Sequence, residues 1–253
     1  MHERTRGRIL RSCVPAFLPP RMTLTLPDGR AVRPGKILCI GRNYAEHVRE
    51  MGDVAAPPAE PQGGVGQPVV FLKPATALLP DGGTVVLPRQ SADVHHELEL
   101  VAVIGTGGRH IAESGALAHV AAYALGLDLT ARDLQAAAKA AKAPWSIAKG
   151  FDTFAPLGPL LPADALGDPQ AVTFELAVNG ETRQAGTTAD MLFPLAHLVA
   201  FLSSVFTLEP GDLIFTGTPA GVGPVRDGDV LTATGRTAAG VALPPLTVTA
   251  RAE

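Results

Sequence analysis

The sequence predicts an α+β fold built on mixed β-sheets. Three observations predict it: segments of strand character outnumber helical ones, no βαβ alternation organises the chain, and no internal repeat is present. The chain also holds 27 Gly and 23 Pro in 253 residues, a supply of turn formers that suits many short strands.

Residues 1–21 carry Arg4, Arg6, Arg8, Arg11 and Arg21 against one acid, Glu3. Their apolar stretch is cut by Pro15, Pro19 and Pro20, which makes a poor leader, so the segment reads as a flexible extension of a single domain over 22–253. From Met22 the alternation in TLTLPDGRAV, with Pro27-Asp28-Gly29 as the turn, predicts a β-hairpin. KILCI at 36–40 reads as a strand, and AEHVREMG as a helix ending at Gly52. The stretch that follows, DVAAPPAEPQGGVGQP, is too broken to pack as an element, and a lid is expected over about 42–68. Strands recur at VVFLKP, TVVLP and HHELELVAVIG. Helices are expected over 114–124 and over 130–143, where Thr130 and Asp133 have capping-box spacing. The remainder is β, with Asn179-Gly180 marking a hairpin turn.

Composition removes several classes of function. Lys plus Arg number 21 and Asp plus Glu 24, a net charge of −3, so bulk charge gives no grip on nucleic acid or an acidic membrane. Hydrophobic residues make up 46% and charged residues 18%, which is the balance of a globular protein. No apolar run approaches the ~20 residues of a membrane helix. Cys13 and Cys39 are too few for a disulfide framework or a cysteine zinc site, and a reducing, cytoplasmic compartment is expected.

Four groups of residues bear chemistry. Glu97-Leu98-Glu99 in one strand would project both carboxylates from one face; the plain alternative is the wet face of an amphipathic strand. Asp128 sits in the apolar run ALGLDLTA just before a helix, where an acid is costly unless it caps the helix or binds something. Together the three carboxylates form a hard oxygen set suited to Mg²⁺ or Mn²⁺. His47 and Glu50 stand three apart in helical sequence, either as a surface pair or as a general base oriented by its carboxylate. Lys149 in IAKGF is either a desolvated cation for a substrate anion or a snorkelling surface lysine. The glycine-rich turn 216–223 lacks the phosphate-loop order and is either a carboxylate-binding loop or simply a tight one, and His95-His96 read as supporting groups.

GRNYAEHVREMG, FLKPATAL, HHELELVAVIG, YALGLDLTARDLQ, PWSIAKGFDTFAPLGP and GDLIFTGTPAGVGPV stand in the order found in the fumarylacetoacetate hydrolase family. From Met22 onward the sequence resembles its single-domain, acylpyruvase-like branch. The resemblance implies a β-rich roll, a homodimer, and Mg²⁺ or Mn²⁺ held by Glu97, Glu99 and Asp128. It implies a His47–Glu50 dyad on the lid, with Lys149 in the catalytic set and Arg42, Arg132, Gln135 and Thr218 as substrate contacts. The implied activity is metal-dependent cleavage of acylpyruvates, small 2-oxo acids, to pyruvate and a carboxylate, with oxaloacetate decarboxylation as a companion. The alternative is isomerisation or decarboxylation of unsaturated dicarboxylates of the 2-hydroxyhepta-2,4-diene-1,7-dioate type.

Overall fold

Residues 22–52 and 66–253 are described by a computed structural model; the expected extension, 1–21, and most of the Pro/Gly-rich lid stretch, 53–65, lie outside the described residues. An eight-stranded mixed sheet forms the centre. Its order is Val69–Lys73, Ile37–Gly41, Leu213–Phe215, Leu98–Ile104, Val120–Leu127, Ala155–Leu157 and Leu78–Pro80, with Leu161–Pro162 pairing Val120–Leu127 to one side. A five-stranded sheet runs Glu181–Thr187, Val172–Val178, Val230–Thr237, Ala242–Ala252, Thr84–Leu87. Three short strands, Thr130–Ala131, Val94–His96 and Gly223–Pro224, make a third sheet beside the site. The helices are few and short, the longest among the described residues being Leu195–Val205, so the α+β expectation holds.

The central sheet is covered on both faces. Along Leu98–Ile104, Leu98, Leu100, Ala102 and Ile104 join a core shared with Phe174, Leu231 and Val248 of the five-stranded sheet. Val101 and Val103 of the same strand join a second core with Leu24, Leu26, Cys39 and Phe215. Every residue of that strand is buried, as a strand between two apolar layers must be, which explains why the sequence turns uniformly apolar there. The N-terminal hairpin Leu24–Thr25 with Ala31–Val32 closes one end of the second core.

Two local expectations are corrected. Helix over 114–124 is only a 3₁₀ segment, Glu113–His119; from Val120 the chain is a strand paired along Leu98–Ile104, and the long-range pairing outweighs the local helical preference of its alanines. The second helix is Arg132–Ala140, shorter than 130–143, and it has no capping box. Thr130 donates its hydroxyl to Asp128 O at 3.1 Å, while Asp133 accepts from Ser91 Oγ and the Ala92 amide at 2.6 and 2.9 Å. A local backbone carbonyl took the Thr130 hydroxyl, and a distant loop took the Asp133 carboxylate.

Asn43 joins fold to site. Fully buried, it donates to Phe193 O and Thr216 O at 3.1 and 2.7 Å and accepts from the Phe193 amide at 2.7 Å, pinning the entry to helix Ala45–Glu50 against the 216–223 loop. Asn43→Ala strands three buried backbone groups and should cost at least about 2 kcal/mol, lowering Tm by about 5 °C or more. A calorimetric shift under about 1 °C would show that this junction carries no such weight.

Candidate active site

Strand ends and short helices deliver the site. Glu97 falls at the break between Val94–His96 and Leu98–Ile104, strands of different sheets, and Glu99 is the second residue of the latter. The two acids therefore converge through a bend in the chain; the expectation of one continuous strand is corrected. Asp128 follows Val120–Leu127, the neighbour of the Glu99 strand in the sheet, so pairing alone brings the acids together. One carboxylate oxygen from each of the three lies within 4.8 Å of the others, and all three residues are buried.

Three cations balance them. Lys149, in the short helix Ser146–Lys149, is 2% exposed and donates to Glu97 Oε2 and Asp128 Oδ2 at 2.8 and 2.6 Å. The surface-lysine alternative is thus excluded. Arg132 pairs with Glu97 and with Gln135 Oε1, the latter at 2.7 Å. Lys73, which sequence reasoning missed, is buried beneath Asp128. Its ammonium gives its three protons to the carbonyls of Leu129, Lys149 and Phe154 at 2.9, 2.6 and 2.9 Å and stands 2.7 Å from Asp128 Oδ1 outside hydrogen-bond geometry. Its one sequence signal was a lysine closing the otherwise apolar strand VVFLK.

Charge is unevenly shared. Burial pushes the Glu97 carboxyl up, but Lys149, Arg132 and His47 outweigh it and hold Glu97 well below the usual range. Burial lowers Lys149, and Asp128 and Glu97 more than restore it, leaving Lys149 above its ordinary value. Glu99 goes the other way: burial, then Asp128 and Glu97, push its carboxyl well above the usual range. Its hydrogen bond comes from the Gly217 amide at 2.7 Å, and among the described residues no cationic side chain pairs with it. A buried acid beside two other acids, with Asp128 Oδ1 also lacking a proton donor, is the arrangement that a divalent cation relieves. All-oxygen donors of this kind fit Mg²⁺ or Mn²⁺.

His47 faces the acids from helix Ala45–Glu50, with Glu50 behind it on Nδ1. His47 Nδ1 is 3.2 Å from Glu50 Oε2, and the Gly221 amide donates to the Glu50 carboxylate at 3.0 Å. With Nδ1–H on Glu50, Nε2 keeps its lone pair for a substrate or water proton. The 216–223 loop therefore spends its amides on the site's own acids, Gly217 on Glu99 and Gly221 on Glu50. Gly217 is required there: its φ is +98°, and a Cβ would lie 2.7 Å from Asn43 Cβ.

The remaining expected contacts line the same cleft: Arg42, Arg132, Gln135 and Thr218. Arg42 has φ +63°, a left-handed conformation that costs a non-glycine residue about 1 kcal/mol. Thr218 differs from expectation in chemistry. Its hydroxyl donates to Leu98 O and accepts from Gln184 Nε2, both at 2.8 Å, so its proton is committed to the strand between the two glutamates. Gln184 is the second residue that sequence reasoning missed. Buried in an otherwise exposed strand, it also accepts from the Leu98 amide and faces His96 Nδ1, each at 2.9 Å, and nothing in ETRQAGT marks it. His96 is thereby supporting, as read from sequence, while His95 contacts Asp93. The space above the acids, open on one side, is about 40 Å³, room for roughly three water-sized groups at about 10–15 Å³ each, which is the scale of an ion and the head of a short 2-oxo acid.

Residues 36–244 match the family model described as the fumarylacetoacetate (FAA) hydrolase C-terminal domain. The chain belongs to the fumarylacetoacetate hydrolase family. A relative in this family, the mitochondrial oxaloacetate tautomerase FAHD1 of Arabidopsis thaliana, is 48% identical over 198 residues, which are 78% of this chain and 85% of the relative. The Homo sapiens protein of that name is 42% identical over 213 residues, 84% and 92% of the two chains. Among solved structures, fumarylpyruvate hydrolase from Pseudomonas aeruginosa, in complex with Mn²⁺ and pyruvate, is similar at TM-score 0.80 and 40% identity, covering 94% of this chain and 99% of that one. A 2-hydroxyhepta-2,4-diene-1,7-dioate isomerase from Mycobacterium marinum gives 0.74 and 32%, with 92% and 87% covered. The family's fold, its enzymatic character and its divalent-metal chemistry agree with the site built above. Among the described residues no helix is long and apolar enough to cross a membrane.

Glu99→Gln separates metal binding from folding. Because the folded-state pKa of Glu99 is raised, its carboxylate costs stability as pH rises above the unfolded value near 4.5, so the metal-free variant should melt at or above wild type at pH 8. Its Mn²⁺ affinity, measured by titration calorimetry, should fall at least about ten-fold. Unchanged affinity would remove Glu99 from the donor set.

Proposed function

We propose that this enzyme hydrolyses the carbon–carbon bond of acylpyruvates, giving pyruvate and a carboxylate. The observation that carries the reading is a histidine, backed by a glutamate, that faces three convergent carboxylates across one cleft. Glu97, Glu99 and Asp128 would hold the divalent ion, which when bound supplies Lewis-acid stabilisation to the enolate that forms as the bond breaks.

Every other task falls to side chains. Glu50 keeps Nδ1 of His47 protonated, and His47 Nε2 takes a proton from the water that attacks the distal carbonyl. The bond between that carbonyl carbon and the pyruvyl CH₂ breaks, its electron pair goes into the enolate of pyruvate, and His47 returns the proton to the CH₂ carbon, which becomes the methyl group of pyruvate. Lys149 spends two protons on Glu97 and Asp128 and has a third for an anionic substrate oxygen. Arg132, steadied by Glu97 and Gln135, offers its remaining donors to the substrate carboxylate, and Arg42 does so from the lid.

Oxaloacetate suits the same centre, because decarboxylation and tautomerisation both pass through an enolate and need no hydrolytic water. The relatives named oxaloacetate tautomerase support that companion activity. Hydrolysis ranks ahead of isomerisation because the dyad is placed to activate a water, whereas isomerisation needs an acid–base pair and an enolising ion but no hydrolytic water. The reading includes a homodimer, which light scattering at a single chain's mass would refute. It also includes a reducing compartment, whether cytoplasm or mitochondrial matrix, in keeping with the buried free thiol of Cys39.

His47→Ala tests the assignment. Acetylpyruvate hydrolysis should fall at least about 100-fold with Mn²⁺ affinity retained. Undiminished hydrolysis by the metal-loaded variant would show that another group activates the water.

A further inference from the structure

One buried cation at the centre gives no hydrogen bond to any of the three acids. Lys73 closes the strand Val69–Lys73 and is 2% exposed. Its ammonium spends all three protons on the carbonyls of Leu129, Lys149 and Phe154 and lies 5.7 Å from the centre of the Phe154 ring. Asp128 Oδ1 stands only 2.7 Å away, yet among the described residues it accepts no proton from Lys73 or from any other donor. Lys149 behaves differently, since it donates to Asp128 Oδ2 and Glu97 Oε2 and so occupies a lone pair on each acid. Lys73 therefore brings charge to Asp128 and leaves the lone pairs of Oδ1 open.

The fold specifies this carbonyl cage at a local cost. Its three oxygens come from a strand end, a short helix and a turn, and Phe154 O also accepts the Leu129 amide at 3.1 Å. Thr153, just before Phe154, holds φ +67°, a left-handed conformation that a β-branched residue rarely adopts. Its hydroxyl accepts the Val86 amide at 2.9 Å, which ties the strained turn to the five-stranded sheet.

We propose that Lys73 is the resident countercharge of the metal centre: it meets the charge of Asp128 while the ion is absent, keeps the acids folded together without metal, and opposes the ion once bound, so that loading stays reversible. A buried carboxylate needs a cation close by, and an ammonium without a hydrogen bond to it supplies one that need not be displaced when the ion arrives. An ion held by Asp128 shares that carboxylate with the ammonium, and two positive charges on one buried carboxylate repel. The inference rests on Glu97, Glu99 and Asp128 as the ion's ligands and makes no use of the reaction. Its consequence is a sign: loss of Lys73 harms the metal-free protein more than the loaded one.

Lys73→Met, Asp128→Asn and the double variant test this at one fixed pH. Metal-free Lys73→Met should melt at least about 5 °C below wild type, and saturating Mn²⁺ should shrink that deficit by at least about 3 °C. By calorimetry the variant should accordingly bind Mn²⁺ at least about three-fold more tightly than wild type does. A lysine that only ties carbonyls together costs the same with and without the ion, so an equal deficit in both states, or an affinity unchanged or weakened, would overturn the inference. In the metal-free cycle, Asp128→Asn should lower the melting point of wild type but recover at least about half of what Lys73→Met loses. Additive losses would overturn the inference as well. If Lys73→Met does not fold, a folded double variant sustains the countercharge and an unfolded one overturns it. A wild-type chain that binds no Mn²⁺ would sink the metal reading, and the metal-free cycle would then decide alone whether Lys73 serves Asp128.

Discussion

The molecule depends on holding three carboxylates together out of water. Three ionised carboxylates at such separations repel one another strongly in a buried site unless countercharge is supplied or one of them stays protonated. Lys149 and Arg132 hold Glu97 ionised, Lys73 underlies Asp128, and among the described residues Glu99 is the acid of the three that no cationic side chain meets. A divalent cation is a countercharge that the three convergent carboxylate oxygens can accept together.

The scaffold is arranged to keep this centre rigid. Glu99 and Asp128 come from adjacent antiparallel strands covered on both faces, so neither can swing outward without opening a core. Gln184, reaching across from the five-stranded sheet, clamps the Leu98 amide and the Thr218 hydroxyl and so fixes the backbone between the two glutamates. Asn43 and the Gly221 amide tie the helix carrying His47 to the same loop that supports Glu99. Metal ligands, base and loop thus share one hydrogen-bonded frame, which is what precise placement of reacting groups requires.

Much of the site was legible in the sequence, because a charge in an apolar run is costly and seldom accidental. Asp128 in ALGLDLTA stood out that way; Glu97–Glu99, Lys149 and the His47–Glu50 spacing each kept a plain surface alternative until the six motifs were read in series. The strands around 36–40, 98–104 and 213–215 were read from apolar runs and turn residues. What escaped depended on distant partners. The stretch from Val120 reads as helix in isolation and is a strand because Leu98–Ile104 pairs with it. Thr130 resembled a cap until Asp128 O claimed its hydroxyl. Lys73, Gln184 and Asn43 are ordinary polar residues in the sequence, and only the fold puts buried carbonyls, amides and a hydroxyl around them. Thr218 was found for its position; its proton is already committed to Leu98 O.

The central claim is that the acidic trio holds one hard ion, and anomalous diffraction at the manganese edge from Mn²⁺-soaked crystals tests it most directly. The account predicts one peak per chain, bonded to a carboxylate oxygen from each of Glu97, Glu99 and Asp128. Full occupancy at some other set of ligands, or no peak at these acids at millimolar Mn²⁺, would contradict it.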